Sequence, residues 1–133
     1  MVSEDIKDIL EGDSSLGLVF GENLFIGKEP PAPRNCVTIY DTYGGPPSLT
    51  LQGKEGGFYE YNSIQIKVRN ASYPDGYELC YNIMASLHGI NHYAVEDTLY
   101  TAIICTSGPA LLEWDDNGNA SFIINFNVQR RRR

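Results

Sequence analysis

The chain has few of the residues on which secreted proteins and many catalysts depend. Of its 133 residues, three are cysteines (Cys36, Cys80 and Cys105), which lie far apart and form no Cys-x-x-Cys pair. An odd number of widely spaced cysteines in apolar surroundings is typical of buried free thiols. The first ten residues lack the basic start and the apolar run of a signal peptide. No apolar segment approaches the ~18 residues that would span a bilayer. We therefore expect an intracellular protein with no membrane segment.

Motifs that carry chemistry are also missing. The sequence has no Gly-x-Ser-x-Gly, no P-loop and no Gly-x-Gly-x-x-Gly. His88 and His92 are four residues apart, but a predicted helix end separates them and no third ligand is near. The segment DDNGN (115–119) lacks the glycine and glutamate that a calcium loop needs at its sixth and twelfth positions, and the twelfth is Phe126. We expect no catalytic site, no cofactor and no metal.

Positive charge is scarce over most of the chain. The formal net charge is −7, and four of the ten Lys and Arg residues form a run at 130–133. Without that run the charge would be −11, which argues against a protein that binds nucleic acid by neutralising phosphates. The run at 130–133 is interpreted as a basic tail. A local contact arm, a cloning remnant and a solvated end all remain open for it.

The first half of the chain predicts one helix, one strand and one long loop. Residues 3–11 have helical spacing, with Ser3 as the predicted N-cap and acidic residues in the first turn. Three prolines exclude residues 28–35 from a central strand. The β-branched and aromatic segment 36–41 predicts a strand. The Gly- and Pro-rich segment 42–57 is predicted to be a long loop and the first candidate for contact with a partner.

The second half predicts a strand followed by the longest helix. In the segment 62–69, three apolar residues alternate with Ser63, Gln65, Lys67 and Arg69, the pattern of a strand with one wet face. Ser72 is the predicted N-cap of a helix over about 73–90. Its apolar stripe is predicted from the following residues: Tyr73, Tyr77, Leu79, Cys80, Ile83, Met84, Leu87 and Ile90.

The last third predicts three strands: TLYTAIICTS (98–107), ALLEWDD (110–116) and ASFIINFNVQ (120–129). Asn117 and Gly118 predict a tight hairpin turn between two of them. In the final strand the apolar residues Phe122, Ile124, Phe126 and Val128 alternate with mostly polar ones. The predicted fold class is α+β: a mainly antiparallel sheet of about four strands, with the N-terminal helix and the helix over about 73–90 packed on one face. Residues 1–133 are predicted to form a single domain.

Three stretches carry a resemblance to a known family. They are NLFIGKEPPAPRNCVTIYDTYGGPP, with a Pro-rich approach to a strand that ends Tyr-Asp-x-x-Gly-Gly; IQIKVRNASYPDGYELCYNIMASLHGI, a strand followed by a helix; and the closing SFIINFNV. Together they resemble the minor capsid or tail terminator proteins of long-tailed phages, over about residues 4–129. These motifs are patterns of fold-determining residues rather than chemical signatures. The run at 130–133 is not a feature of that family.

The resemblance implies a structural virion protein and no enzyme. Such subunits form a hexameric ring on the last ring of the tail tube, stop its growth and present a surface to the neck below the head. The implied partners are other copies of the chain, the tail tube protein and the neck or connector proteins. DNA passes through the ring without sequence-specific binding, and no membrane is involved. The implied location is the tail–head junction of the virion, with assembly in the host cytoplasm.

Contact surfaces, rather than a catalytic site, are therefore predicted. Residues expected to contact a neighbouring subunit or partner lie in the 42–57 loop, on the wet face of the strand and in the hairpin turn: Tyr43, Lys54, Glu55, Lys67, Arg69, Asp115, Asp116 and Asn117. A solvated face is the alternative for each of them.

Three other functions are weighed against the tail terminator. A head-completion or neck protein would share small α+β subunits and ring symmetry. A small-molecule-binding module would be a compact monomer with an apolar pocket, in which Trp114 and tyrosines serve as recognition aromatics. Core or edge packing is the more common use of a lone tryptophan in a strand. A hydrolase with a cysteine–histidine pair assembled in space comes last, because none of the cysteines has an electropositive setting in the sequence.

Overall fold

The computed structural model describes residues 1–50 and 53–132, without the side chains of residues 50, 54–56 and 132. One sheet and two helices make up the fold. Its elements in chain order are α1 (Val2–Gly12), β1 (Leu24–Ile26), β2 (Cys36–Thr50), β3 (Gly53–Asn70), α2 (Tyr73–Leu87), β4 (Tyr93–Val95), β5 (Thr98–Trp114) and β6 (Ala120–Arg132).

The predicted fold, a mainly antiparallel sheet of about four strands with one long helix, was wrong. The strands form one six-stranded mixed sheet in the order β1-β2-β3-β6-β5-β4, which curls into a half-barrel. β1 pairs with β2 in parallel, and the other neighbours are antiparallel. Most of the described residues are therefore in strands. The helix α2 ends at Leu87, three residues before the predicted end. The short strands β1 and β4 have three residues each, too few to show a clear alternation in the sequence.

The predicted loop over 42–57 is largely strand, in the distal part of the β2–β3 hairpin; residues 51 and 52 lie outside the described residues. Gly45 pairs with Tyr61, and Leu49 with Phe58, across register shifts that mark β-bulges. At Gly44 a Cβ atom would lie 2.2 Å from the carbonyl oxygen of Tyr61, so only glycine allows this approach. Prolines are tolerated because β2 is close to the sheet edge. The Gly- and Pro-rich composition thus marks bulges and an edge here, not a loop.

The same correction applies to β5. The sequence predicted two strands interrupted near Gly108 and Pro109, but Thr98–Trp114 is one strand with several register shifts. Gly108 has a φ of +93°, and a Cβ atom there would lie 2.4 Å from the carbonyl oxygen of Ile123. A bulge at glycine therefore lets the strand continue past a residue that favours turns.

The helices pack on the face of the sheet that the alternation predicted. Core residues Ile64, Ile66 and Val68 of β3 are fully buried, and the alternating apolar residues of β6 that face the helices are at most 1% exposed: Phe122, Ile124, Phe126 and Val128. Their burial contributes on the order of 1.5–3 kcal/mol per side chain. They meet Ile6 and Leu10 of α1 and Ile83 and Leu87 of α2 in one hydrophobic cluster. The strand assignments at the centre of the sheet are confirmed.

The two helix starts have different outcomes. Ser72 is the N-cap of α2 as predicted, and its Oγ accepts a hydrogen bond from the Asp75 N–H at 3.4 Å. α1 begins earlier than predicted, because Met1 is its N-cap. Ser3 is instead buried against β2, where its Oγ donates to Asp41 Oδ2 at 2.6 Å. Ser3, which was predicted to cap α1, therefore connects α1 to β2 of the sheet.

The buried stripe of α2 is displaced from the predicted one. Gly76, Cys80, Ile83 and Leu87 face the core, and burial raises the pKa of the Cys80 thiol to about 12. Tyr73 and Tyr77 were predicted for the stripe, but both are about half exposed. Because Gly76 has no side chain, α2 approaches Phe122 closely at this position. The buried face of α2 therefore passes through Gly76 and Cys80, and Tyr73 and Tyr77 lie beside it.

We expect Gly76→Ala to destabilise the protein. The added Cβ would lie 2.9 Å from Phe122 Cε2 and 3.0 Å from Asn70 Cβ. Overpacking of this kind costs about 1–3 kcal/mol, whereas alanine gains at most about 1 kcal/mol of helix propensity. Urea unfolding should show a net loss of about 1 kcal/mol. Gly12→Ala is the matched control, because a Cβ atom added there would meet none of the described atoms within 4 Å. A Gly76→Ala protein as stable as the Gly12→Ala protein would contradict this packing.

Candidate interaction surfaces

A proline-rich segment crosses the face of the sheet opposite the helices. We call residues 28–34 the strap. Arg69 of β3 is 7% exposed and fastens the strap through four hydrogen bonds. Its Nε donates to the Arg34 carbonyl at 3.0 Å, and its Nη2 donates to the carbonyls of Pro30 and Pro33 at 2.8 and 2.7 Å. Its Nη1 donates to Glu29 Oε1 at 2.9 Å. A single guanidinium group therefore holds the strap against the sheet.

Lys67 extends the same set of charges. Its Nζ lies 3.1 Å from Glu29 Oε2 and 3.9 Å from Glu113 Oε1. Lys67 and Arg69 were predicted to contact a neighbouring subunit or partner. The ion pairs that they make in this structure are with Glu29 and Glu113 of the same chain. The partly buried Glu29 carboxylate lies between the two cations, which neutralises it.

The predicted hairpin turn at 115–119 is confirmed and lies beside the strap. Asp115 Oδ1 accepts the backbone N–H groups of Asn117 and Asn119 at 2.9 Å each, and its Oδ2 accepts from Asn119 Nδ2 at 3.0 Å. Arg34 Nε donates to Asn119 Oδ1 at 2.7 Å. Asp116 and Asn117 are exposed. Five of the predicted contact residues are thus brought together at this end of the sheet, with Asp115 serving the turn: Lys67, Arg69, Asp115, Asp116 and Asn117.

Asp115 should make stability depend on pH in acid. Hydrogen bonds from Asn119, the largest cause, and from Asn117 lower the pKa of its carboxyl below the usual 3.8. The stabilisation is therefore complete above the unfolded pKa and is lost as the pH falls through the lower folded pKa. Asp115→Asn removes this titration. We expect the melting temperatures of the wild type and the variant to differ most near neutral pH and to converge below about pH 4. A constant difference down to pH 2 would contradict this assignment.

The other predicted contact residues lie toward the opposite end of the sheet. Tyr43 is 93% exposed on β2, the most exposed large hydrophobic side chain of the described residues. Lys54 and Glu55 lie in β3 near the hairpin tip, but their side chains are not among those described. Leu49 and Phe58 are also exposed there and, with Pro47 and Ser48, line a cavity of about 150 Å³. We call residues 43–50 and 53–58 the arm; its exposed apolar side chains include Tyr43, Leu49 and Phe58.

A buried polar cluster centred on Arg130 was not anticipated from the sequence. The Arg130 Nε donates to Glu60 Oε2 at 2.7 Å, and its Nη1 donates to the Tyr100 hydroxyl at 3.3 Å. Tyr100 is fully buried and donates its hydroxyl proton to Asp5 Oδ2 of α1. Burial, followed by this hydrogen bond to Asp5, raises the pKa of Tyr100. The cluster ties α1 to three strands of the sheet.

The Arg130 cluster also corrects the interpretation of 130–133 as a tail. Residues 130–132 belong to β6, and Arg130 is 7% exposed. Arg133 lies outside the described residues. One signal could have revealed this: continuing the alternation of Phe122, Ile124, Phe126 and Val128 by two residues places Arg130 on the core-facing side.

An exposed aromatic patch lies on the helix side of the sheet, at the end nearest the turn. We call Tyr73, Tyr77 and Trp114 the aromatic patch. The rings of Tyr73 and Trp114 stack with centroids 5.8 Å apart, and both tyrosines meet the ring of Phe122 edge-on. Trp114 is 54% exposed, so it is an edge aromatic and lies outside the core. The arrangement presents ring faces at the surface, which is typical of interaction sites.

The groove between the polar face of the sheet and the arm is not an enclosed apolar site. A cavity of about 280 Å³ between the polar face of the sheet and the arm is lined by Gly45, Tyr61, Asn62, Ser63, Ala102, Ile104, Asn127, Val128 and Gln129. Its lining mixes amide and hydroxyl groups with apolar ones. None of the aromatic patch residues contributes to it. It therefore differs from the pocket that the small-molecule hypothesis predicts.

Within residues 1–50 and 53–132, no three His, Cys, Asp or Glu side chains are grouped to hold a metal ion. His88 Nδ1 instead accepts the backbone N–H of Cys105 at 2.9 Å, where the end of α2 covers the edge of β5. None of the helices described in this structure has the length and apolar character needed to cross a membrane.

The described surface carries an exposed arm and an exposed aromatic patch, and exposed apolar groups of this kind are typical of interaction sites. Residues 7–132 match the family model described as bacteriophage tail terminator protein. The chain therefore belongs to the bacteriophage tail terminator family. It is a structural protein of the phage tail and is associated with the virion.

The fold is also found in a gene transfer agent particle. The chain is similar to a chain in a structure titled "Virion of native gene transfer agent (GTA) particle", with a TM-score of 0.65 and 13% identity. The similarity covers 95% of this chain and 91% of that chain. At this identity it shows a common fold. No curated protein sequence matches this chain.

Proposed function

We propose that this protein caps the phage tail tube as a hexameric ring, ends tube growth and forms the interface to the neck and head. The observation that carries the proposal is the match of residues 7–132 to the tail terminator family. The ring would lie at the tail–head junction of the virion after assembly in the host cytoplasm. Its partners would be further copies of this chain, the tail tube protein and the neck or connector proteins.

Two open strand edges support a ring. The outer side of β2 pairs with β1 only from Val37 to Ile39, and no described strand covers it beyond that point. β4 pairs with β5 only from Thr98 to Tyr100, and the end of α2 bonds to Ile103 and Cys105. Beyond Cys105, no described strand lies along the outer side of β5. The backbone groups of an unpaired strand edge can pair with another chain, and native proteins usually shield them. Neighbouring subunits of a ring would cover these two edges.

The charge distribution supports a channel for DNA. Residues 71–128 contain seven Asp and Glu residues and no Lys or Arg. Carboxylates lining a lumen would repel the passing phosphates and so keep DNA from binding to the wall. Sequence-specific contact would need cationic and amide groups at base edges, and the long acidic segment provides no cations for it.

The arm is the proposed contact with the tail tube protein. It projects exposed apolar groups, with Tyr43, Lys54 and Glu55 as predicted contact residues. An exposed tyrosine is a common anchor in protein interfaces because it buries a large area at small entropic cost. The last tube ring would offer a surface on which the arm of each subunit docks.

The proposal is tested by tube growth. Adding the protein to polymerising tube protein should give tubes whose mean length falls as the ratio of this protein to tube protein rises. Tyr43→Ala should raise the concentration needed for half of the effect by about tenfold or more, the loss expected for an interface anchor. Tyr93→Ala removes another exposed tyrosine, 41% exposed and outside the arm, and serves as the control. Unchanged tube lengths at saturating protein would contradict the capping role. Binding to the neck without any effect on tube length would favour the head-completion alternative.

A further inference from the structure

The charged side chains that α2 carries beside the aromatic patch are negative, and we call them the rim. Asp75 and Glu78 are exposed on α2, two positions after Tyr73 and one position after Tyr77. Glu113 precedes Trp114 on β5 but lies near Lys67 on the opposite face of the sheet, so it is not part of the rim. Because residues 71–128 carry no Lys or Arg, α2, β4 and β5 contribute no permanent cation to the rim. Aromatic faces attract cations, and aromatic-lined surfaces with acidic surroundings bind proline-rich segments that carry Lys or Arg. The patch therefore fits a basic, proline-containing segment.

The strap of this same chain has that chemistry. Pro31 and Pro33 are exposed in it, with Lys28 near one end and Arg34 at the other. Its backbone is fixed by the hydrogen bonds from Arg69, so little ordering entropy would be lost on binding. These hydrogen bonds hold the strap in a conformation that leaves Pro31 and Pro33 exposed for contact with ring faces.

The positions of the two surfaces exclude contact within one chain. The strap lies on the face of the sheet that carries Lys67 and Arg69, whereas the aromatic patch lies on the face that carries Phe122. Both are at the same end of the sheet, where Asn70 pairs with Ala120 and Ala120 with Trp114. Two different surfaces on opposite faces form a heterologous contact, which repeats from one subunit to the next and closes into a ring at a suitable rotation.

We propose that the aromatic patch of one subunit binds the strap of the next copy of this chain, with Lys28 facing the carboxylates of the rim. The inference rests on the proposed ring and specifies one contact between its subunits. The tyrosine and tryptophan faces would pack against the exposed prolines. The acidic rim would select the basic strap over the acidic remainder of the neighbouring subunit.

A photocrosslink tests this contact directly. Benzoylphenylalanine replaces Tyr77, and an equal mixture of ¹⁵N-labelled and unlabelled protein is assembled on tail tubes, irradiated and digested. We expect mixed-isotope crosslinks between position 77 and residues 28–34. The same probe at Tyr93 is the control and should give no crosslink to the strap. Rings whose probe at position 77 links to other segments or to the tube protein would overturn the inference and leave the proposed function intact. If no rings form on the tubes, the proposed function fails and the inference fails with it.

A charge exchange gives a second, independent test. Glu78→Lys or Lys28→Glu alone should weaken ring formation about tenfold or more, because each places like charges across the contact. The double variant should recover most of the association, because every contact in its ring again joins opposite charges. Circular dichroism should show all three proteins folded, since both side chains are exposed. Wild-type association of both single variants, or no recovery in the double variant, would overturn the contact.

Discussion

Replacing Arg69 with alanine is expected to lower the free energy of unfolding by about 3–5 kcal/mol, the cost of breaking a buried ion pair by removing one partner. The variant removes the side-chain donor to three strap carbonyls and takes away one of the two cations beside the partly buried Glu29 carboxylate. A loss of this size is a large part of the ~5–15 kcal/mol that stabilises a domain. Urea unfolding at neutral pH measures it.

Two further variants separate geometry from charge at this position. Arg69→Lys keeps the charge, but an ammonium group has no planar fork to reach four acceptors, so we expect it to lose most of the same stability. Lys67→Ala removes a cation from the same face with ion pairs at 3.1 and 3.9 Å, and should cost about 1 kcal/mol or less. If Arg69→Ala costs no more than Lys67→Ala, Arg69 does not fasten the strap.

Arg130→Ala is expected to cost a similar amount, about 3–5 kcal/mol, although a basic tail would predict almost nothing. The substitution removes a partner of Glu60 at 2.7 Å and one donor to the buried Tyr100 hydroxyl. A double-mutant cycle with Glu60→Ala should give a coupling free energy of about 1–3 kcal/mol, because the two side chains are in direct contact.

Lys7 provides the matched control for Arg130. Its ion pairs with Asp8 at 3.0 Å and Glu11 at 4.0 Å are on the surface of α1, where water screens them, so Lys7→Ala should leave the free energy of unfolding nearly unchanged. Equal and small losses for Arg130→Ala and Lys7→Ala would mean that the Arg130 cluster contributes little, contrary to its burial.

The elements that the sequence predicts best are those determined by local rules. Alternation of apolar residues gives the buried faces of β3 and β6, because side chains on a strand point to opposite sides in turn. Ser72 marks the start of α2, and Asn117 with Gly118 marks a hairpin turn, because each satisfies backbone geometry within a few residues. These local signals therefore predict the buried faces of β3 and β6, the start of α2 and the turn between β5 and β6.

The elements that it misses depend on distant partners. Gly44 and Gly108 allow close approach to Tyr61 and Ile123, and nothing near either glycine in the sequence distinguishes a bulge from a loop. The prolines of β2 indicate a strand breaker until the strand is known to lie near an edge. The sheet was therefore predicted with too few strands and too much loop.

The candidate surfaces show the same limit. Alternation correctly placed Lys67 and Arg69 on the face away from the helices, but it carried no information on what else covers that face. Glu29 lies about 40 positions before both and meets them only because the strap folds back over β3. The aromatic patch likewise depends on the pairing of Trp114 with Ala120, which brings β5 beside α2.

The most direct test of the central claim is an electron-microscopy reconstruction of tail tube ends after mixing with the purified protein. The account predicts a single six-fold ring at one end of each tube, with the arm facing the last tube ring. Tube ends that remain bare at saturating protein, or protein bound along the tube wall without a ring, would contradict it.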